Sequence, residues 1–357
     1  MDPIAHTLVG AALAKSGLER RSGFAFAALV IGANLPDIDG VTYLVGADLG
    51  LYFRRGWTHG LPAIAVWPFL LAGALTLLDR ALGFRRARFE ALFGLSLLAV
   101  ATHPALDWLN NYGMRWLMPL DGRWFYGDAV FIIDPWIWLG LGGPLFLSSS
   151  RSSLRLLAWI AGAAAPIYAV LGTVPGLAGA KALFAAGLAG FAAARVLGFP
   201  RTEFEGTRLH RVAVALVSAY ILTMVALSAF AHRWTFERLT AEGHPVEKLM
   251  VGPTPLSPFT RDVVFSTPST YGYGVLAIGS AMKLTLSPES IARTDGSPFM
   301  ARALREPEVQ GFANWARFPW AEVFEEPEGI RVILRDARYT RFSGRSGFGT
   351  AVVVLPR

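Results

Sequence analysis

The chain contains no cysteine. That absence excludes structural disulfides and thiolate ligands, so any metal must be held by His, Asp, Glu or Asn. Charge is scarce as well: 17% of the 357 residues are charged and 53% are hydrophobic, against about 25% charged in a typical soluble domain. This is too apolar for an ordinary soluble enzyme, and a polytopic membrane protein is the first inference. The net charge of +7 does not call for nucleic acid. Its Arg and Lys residues fall mostly in short breaks between apolar runs, where membrane topology accounts for them, and no nucleic-acid partner is expected. The first residues lack a basic stretch before the apolar run, so a cleavable signal peptide is not expected. There is no internal repeat, low-complexity linker or glycine-rich phosphate loop.

Apolar runs of near-spanning length lie at 24–46, 61–79, 90–110, 129–147, 154–172, 178–198 and 211–231, after a short first helix at 3–17. Each long run is close to the roughly 20 residues that cross a bilayer. The run 24–46 is interrupted by Asn34-Leu35-Pro36-Asp37-Ile38-Asp39-Gly40, which predicts irregular backbone in its second part. If the first helix starts outside, the inner breaks hold Lys15, Arg20, Arg21, Arg80, Arg85, Arg86, Arg88, Arg151, Arg155, Arg195, Arg201, Arg208 and Arg211. The alternate breaks hold only Arg54, Arg55, Arg115, Arg123 and Lys181. This bias predicts a multi-pass protein of a bacterial-type inner membrane, with the tail after Phe230 on the outer face. Beyond about His232 come short β-prone runs such as Arg261–Phe265, Tyr271–Ile278, Trp320–Phe324, Ile330–Leu334 and Thr350–Leu355, with a helix around Glu306–Ala316. The expected fold is therefore mainly α: a polytopic helical membrane domain over residues 1–231, then a small β-rich α+β soluble domain over 232–357.

Six candidate metal ligands fall in the first 110 residues: His6, Asp37, Asp39, His59, His103 and Asp107. The inferred topology puts all six on the outer side, where polar groups at a membrane helix end are costly and need a reason. His103 and Asp107 are four apart and share one helical face. Pro104 lacks the N–H that would bond the Val100 carbonyl, which predicts a kink or a fresh helical start at His103. Imidazole and carboxylate donors without sulfur suit zinc, or manganese or iron, and six exceed what one tetrahedral ion needs. Two ions about 3.5–4 Å apart activate water and clamp the oxygens of a phosphoester. Asp107, Asp37 or Asp39 could supply the anionic bridge, and Arg54 and Arg55 could hold a substrate phosphate. Singly, each residue also has an ordinary role. His103 is then a hydrogen-bonded packing residue, Asp128 a helix cap, the two arginines headgroup contacts, and Asn110 to Gly113 a helix end with a left-handed residue.

Taken together, Asp2-Pro3-Ile4-Ala5-His6-Thr7, Asn34-Leu35-Pro36-Asp37-Ile38-Asp39, Arg55-Gly56-Trp57-Thr58-His59-Gly60, His103-Pro104-Ala105-Leu106-Asp107 with Asn110-Asn111-Tyr112-Gly113, and Gly127-Asp128 with Ile133-Asp134-Pro135-Trp136 resemble the YdjM-like family. That family consists of inner-membrane proteins whose metal-dependent hydrolase activity is inferred. The resemblance runs over about residues 1–145. More distantly, the order His6, Asp37 or Asp39, His59, then the His103-x-x-x-Asp107 pair is similar to that of zinc-dependent phospholipase C and related single-strand nucleases. Those enzymes add a further histidine, a His-x-x-x-Glu pair and the amino terminus as ligands, whereas the next polar residues here are Asp128 and Asp134.

The resulting expectation is a membrane-embedded, dinuclear metal-dependent hydrolase that opens at the outer leaflet and cleaves a phosphoester of a lipid or lipid-linked substrate. His103 and Asp107 form its catalytic pair. Asn34, Asn110, Asn111, Asp128 and Asp134 support the site or add ligands, and membrane lipids are the partners. Two rivals from other classes are a transporter or ion conductor and a membrane-anchored binding protein acting through its C-terminal domain.

Overall fold

A computed structural model of the protein describes residues 1–340 and 347–357. The helices are α1 (Pro3–Lys15), α2 (Ala25–Gly32), α3 (Ala47–Phe53), α4 (Leu61–Ala81), α5 (Phe89–Trp108), α6 (Pro135–Ser149), α7 (Ser153–Tyr168), α8 (Ala178–Val196), α9 (Glu203–Ala241), α10 (Pro298–Ala303), α11 (Gln310–Trp315) and α12 (Ala337–Thr340). The strands are β1 (Lys248–Thr254), β2 (Ser257–Ser266), β3 (Thr270–Ile278), β4 (Met282–Ala292), β5 (Pro319–Glu326), β6 (Gly329–Asp336) and β7 (Thr350–Leu355). They form a helical membrane domain and a β-rich C-terminal domain. By their contacts the residues divide into two compact units. One comprises Met1–Asp37, Thr58–Ser228 and Pro253–Pro258; the other comprises Ile38–Trp57, Ala229–Gly252 and Phe259–Arg357.

In the helical unit, Asp-Pro steps start two helices. Asp2 accepts the Ala5 N–H at 3.0 Å ahead of α1, and Asp134 accepts those of Trp136 and Ile137 at 2.9 and 3.1 Å ahead of α6. The carboxylate satisfies an orphan helix donor and proline occupies a position that needs no N–H. The expected count of seven spans is corrected here. Among the described residues five helical stretches are long and apolar enough to cross a membrane: Leu61–Ala81, Phe89–Trp108, Ser153–Thr173, Ala178–Val196 and Glu203–Ala241. The run 24–46 divides into α2 and a 3-10 stretch over Leu35–Leu44, where Pro36 and its polar neighbours break the helix. The run 129–147 becomes helical only after Asp134, and the 15 residues of α6 reach about 22 Å at 1.5 Å each, short of a bilayer core of about 30 Å.

Contacts at the helix ends sort the unit into two layers. At one end Arg20 pairs with Glu203, Arg211 Nε donates to the Ser16 carbonyl, Arg88 to that of Arg21 and Arg195 to that of Ser150. Asp79 accepts the N–H groups of Arg86 and Ala87 and fixes the α4–α5 turn there. At the opposite end lie the starts of α1 and α4 and the finish of α5, and Ser228 of α9 donates to the Gly127 and Asp128 carbonyls. Gly10 lets α1 and α2 meet: a Cβ there would stand 2.5 Å from the Leu29 carbonyl oxygen, a close approach that small residues permit in membranes.

The second unit holds a four-stranded sheet in the order β1-β2-β3-β4 and a three-stranded sheet β5-β6-β7. The helix expected around Glu306–Ala316 is split into a 3-10 turn over Pro307–Val309 and α11. Phe312 packs with Val332, Leu334, Val353 and Leu355, and Leu51 of α3 joins the same core. Asp48 caps α11 from a distance in sequence: its carboxylate accepts the Gly311 and Phe312 N–H groups at 2.8 and 2.9 Å. A Cβ on Gly311 would lie 2.0 Å from the Asp48 carbonyl oxygen. Removing the carboxylate leaves two helix donors without it. Asp48→Ala is therefore expected to destabilise this unit by about 1–3 kcal/mol, read as a lower unfolding midpoint by tryptophan fluorescence, and Asp48→Asn by less.

Candidate metal centre

The site is built on α5. The expected fresh helical start at His103 is corrected, because α5 runs from Phe89 to Trp108 with Pro104 inside it. Membrane helices tolerate an internal proline where neighbouring groups compensate its missing hydrogen bond. His103 and Asp107 thus share one face, one turn apart. Just beyond Asp107 the helix end is tied down by the strand-like segment that follows: Gly127 N–H donates to the Trp108 carbonyl and Ala129 N–H to that of Leu109, both at 2.7 Å. Asn110 accepts the Tyr112 N–H at 3.0 Å, and Gly113, in the turn beyond the C-cap Leu109, takes a φ of 88°.

Four ligand-type atoms converge. His59 Nε2 and His103 Nε2 are 3.1 Å apart. Asp37 Oδ1 lies 3.5 and 3.3 Å from them, and Asp107 Oδ2 lies 3.4 and 3.6 Å from them. A tetrahedral zinc ion with bonds of about 2.0–2.2 Å needs ligand atoms roughly 3.3–3.6 Å apart; these separations lie near that range and all four atoms fall within 4.8 Å of one another, so the set could hold a metal ion. The outer nitrogens are also engaged. His103 Nδ1 is 2.6 Å from the Ala33 carbonyl oxygen, and His59 Nδ1 is 2.9 Å from Thr58 Oγ1. A carbonyl only accepts, so His103 carries its proton on Nδ1, and in the neutral ring Nε2 presents a lone pair to the centre. The side chains of His59, His103 and Asp107 are fully buried, and Asp37 alone of the four is 16% exposed.

Asp107 faces two ways. While Oδ2 joins the four-atom set, Oδ1 lies 3.3 Å from His6 Nε2 and accepts a hydrogen bond from the Met1 nitrogen. The His6 ring stacks on His103 with centroids 3.8 Å apart. The structure thus brings His6, Asp37, His59, His103 and Asp107 together.

The other sequence candidates are placed as follows. The Asp39 carboxylate is bound by the Arg54 guanidinium and accepts the Arg55 N–H at 2.8 Å, so Arg54 is committed to Asp39. Asn34 donates to the Val30 carbonyl and accepts from Thr7, linking α2 to α1. Asn110 and Asn111 sit in the turn after α5. Asp128 takes a left-handed φ of 47° and its carbonyl receives Ser228. Asp134 caps α6 and accepts the Tyr220 hydroxyl at 2.9 Å. The orienting partners Thr58 and Ala33 had no distinguishing signal in sequence beyond, for Thr58, its place beside His59.

The fold and this centre define a multi-pass membrane protein with a buried His/Asp cluster that could bind a metal ion. Through residues 1–178, which match the family described as YdjM inner membrane protein, the chain belongs to that family. It is 30% identical over 112 residues to a Bacillus subtilis (strain 168) protein described as uncharacterized protein YfhP. That match covers 31% of this chain and 33% of the relative, so the chain spans about a third of the curated relative it matches. No solved structure matches.

The anchored Nδ1 atoms lead to a graded expectation. His103→Ala should abolish stoichiometric metal in the purified protein. Thr58→Val, which removes the hydroxyl beside the outer nitrogen of His59, should weaken affinity by about 10–100-fold. Elemental analysis and chelator competition check both.

Proposed function

We propose that the protein is a membrane-embedded metal-dependent hydrolase acting on a phosphoester of a lipid or lipid-linked substrate. The observation that carries this reading is the convergence of Asp37, His59, His103 and Asp107, whose ligand atoms lie within 4.8 Å of one another, with imidazoles anchored through their outer nitrogens. Zinc suits the donors best. A divalent ion held there supplies Lewis acidity and lowers the pKa of water. Ala33 and Thr58 hold the histidine rings so that Nε2 faces inward. Asp107, with one oxygen toward this set and the other toward His6, is the residue suited to be shared with a second ion, and His6 would be that ion's imidazole donor. Asp37, the partly exposed member, marks the edge from which substrate and water approach.

The arginine-rich helix ends lie opposite this centre, and the positive-inside rule assigns them to the cytoplasm. The centre and the tail after α9 are then on the outer face, beneath headgroups, where amphiphiles reach a site more readily than solutes do. The ligands cluster at one end of the helices, and ion pathways line the membrane thickness; that contrast favours hydrolysis over transport.

Purified protein in mixed micelles, screened against phospholipids and isoprenoid phosphates, is expected to release phosphate or headgroup in a chelator-sensitive manner. Asp107→Asn should lower the rate by more than about 100-fold, beyond the effect of losing an outer partner. Chelator-insensitive hydrolysis, or solute flux in proteoliposomes without ester cleavage, would overturn the reading. Because the chain lacks cysteine, sidedness is directly testable. Leu120→Cys, at a position 90% exposed near the start of α4, should react with impermeant maleimide in spheroplasts. Arg85→Cys should react only after lysis.

A further inference from the structure

The two ligands Asp37 and His59 flank the segment Ile38–Trp57, which folds with the C-terminal unit while its flanks belong to the helical unit. Left open, a 20-residue excursion lets its ends separate at small entropic cost, and two ligand atoms needed 3.5 Å apart would drift. The segment is closed near its base. Asp39, two residues after the first ligand, is bound by the Arg54 guanidinium and takes the Arg55 N–H at 2.8 Å, four residues before the second. The base is further shaped by Thr42, whose hydroxyl donates to the Asp39 carbonyl at 2.5 Å, and by Arg55, whose φ of 53° lies in the left-handed region. A residue with a side chain holds that conformation only where its surroundings fix it. Farther along, Asp48 ties the excursion to α11.

Asp37 and Asp39 lie in one 3-10 stretch. At about three residues per turn, side chains two apart point in different directions. A carboxylate whose charge is met by a guanidinium and whose oxygen accepts a main-chain N–H is also a poor donor to a metal.

We propose that Asp39 is a positioning residue, not a ligand: by closing the base of the Ile38–Trp57 excursion on Arg54 and Arg55, it sets the separation at which Asp37 and His59 meet the metal. The proposal rests on the metal-centre reading above.

The test uses the full-length protein in detergent, with zinc affinity measured by chelator competition and ligand number read from the visible spectrum of the cobalt(II) form. Asp39→Ala and Arg54→Ala are each expected to weaken zinc binding about 10–100-fold, and the double variant should be no weaker than the worse single one. At saturating cobalt the spectrum should keep its wild-type intensity. Asp39→Asn, which retains an acceptor for the Arg55 N–H, should lie between, and monodisperse elution of that variant guards against misfolding. Trypsin should cut after Arg54 or Arg55 faster in Asp39→Ala than in wild type, a readout independent of metal. If Asp39→Ala abolishes binding and alters the cobalt spectrum while Arg54→Ala does neither, Asp39 is a ligand and the proposal fails. Unchanged affinity and cleavage in all variants also overturn it. Wild-type protein that binds no metal, with faster cleavage in Asp39→Ala, overturns the metal reading while leaving the clasp intact.

Discussion

Placing two carboxylates and two imidazoles with ligand atoms within 4.8 Å of one another in a buried site is costly unless positive charge sits among them. The rest of the helical unit serves that convergence. Three separate stretches deliver the four residues, and hydrogen bonds close to the histidines and to the α5 end fix them. The α5 end is held by Gly127 and Ala129, the α2 end lends the Ala33 carbonyl to His103, and His59 leans on Thr58. With Nδ1 of His103 donating to a carbonyl, the inward lone pair faces carboxylate oxygens. A cation at the centre converts that repulsion into coordination.

Much of this was legible in the sequence because chemistry-bearing residues in a membrane chain are few. In a chain with 17% charged residues, the shared helix face of His103 and Asp107 follows from periodicity, and the placement of His6, Asp37 and His59 at corresponding depths from the inferred topology. Six candidates could be gathered in this way. Sequence could not divide them, because that depends on local backbone. The 3-10 path of Leu35–Leu44 turns Asp37 and Asp39 apart, and periodicity does not report it.

The span count failed for a related reason. Hydropathy averages over a window and ignores a proline or an aspartate that starts or stops a helix inside it. Asp134-Pro135 begins α6 six residues into its apolar run, and Asn34 to Asp37 end α2 well before the run does. The grouping of Ile38–Trp57 with the C-terminal unit was beyond sequence reading altogether, since it depends on Asp48 meeting main-chain donors at Gly311 and Phe312.

The aspartates show how one side chain is assigned different work by its surroundings. Asp2, Asp48, Asp79 and Asp134 meet main-chain N–H groups at helix starts or turns, where the donors are orphans of the local fold and the carboxylate stabilises structure. Asp37 and Asp107 meet imidazole nitrogens whose outer partners are already fixed. Asp39 is intermediate, taking one main-chain donor and one guanidinium. A carboxylate that satisfies donors has spent its charge on the fold, while one that faces acceptors keeps it for a cation. By that criterion Asp37 and the Asp107 oxygen that faces His59 and His103 are the carboxylate groups suited to a cation, and the proposed clasp beside them is where the fold would hold two of the candidate ligands to that arrangement.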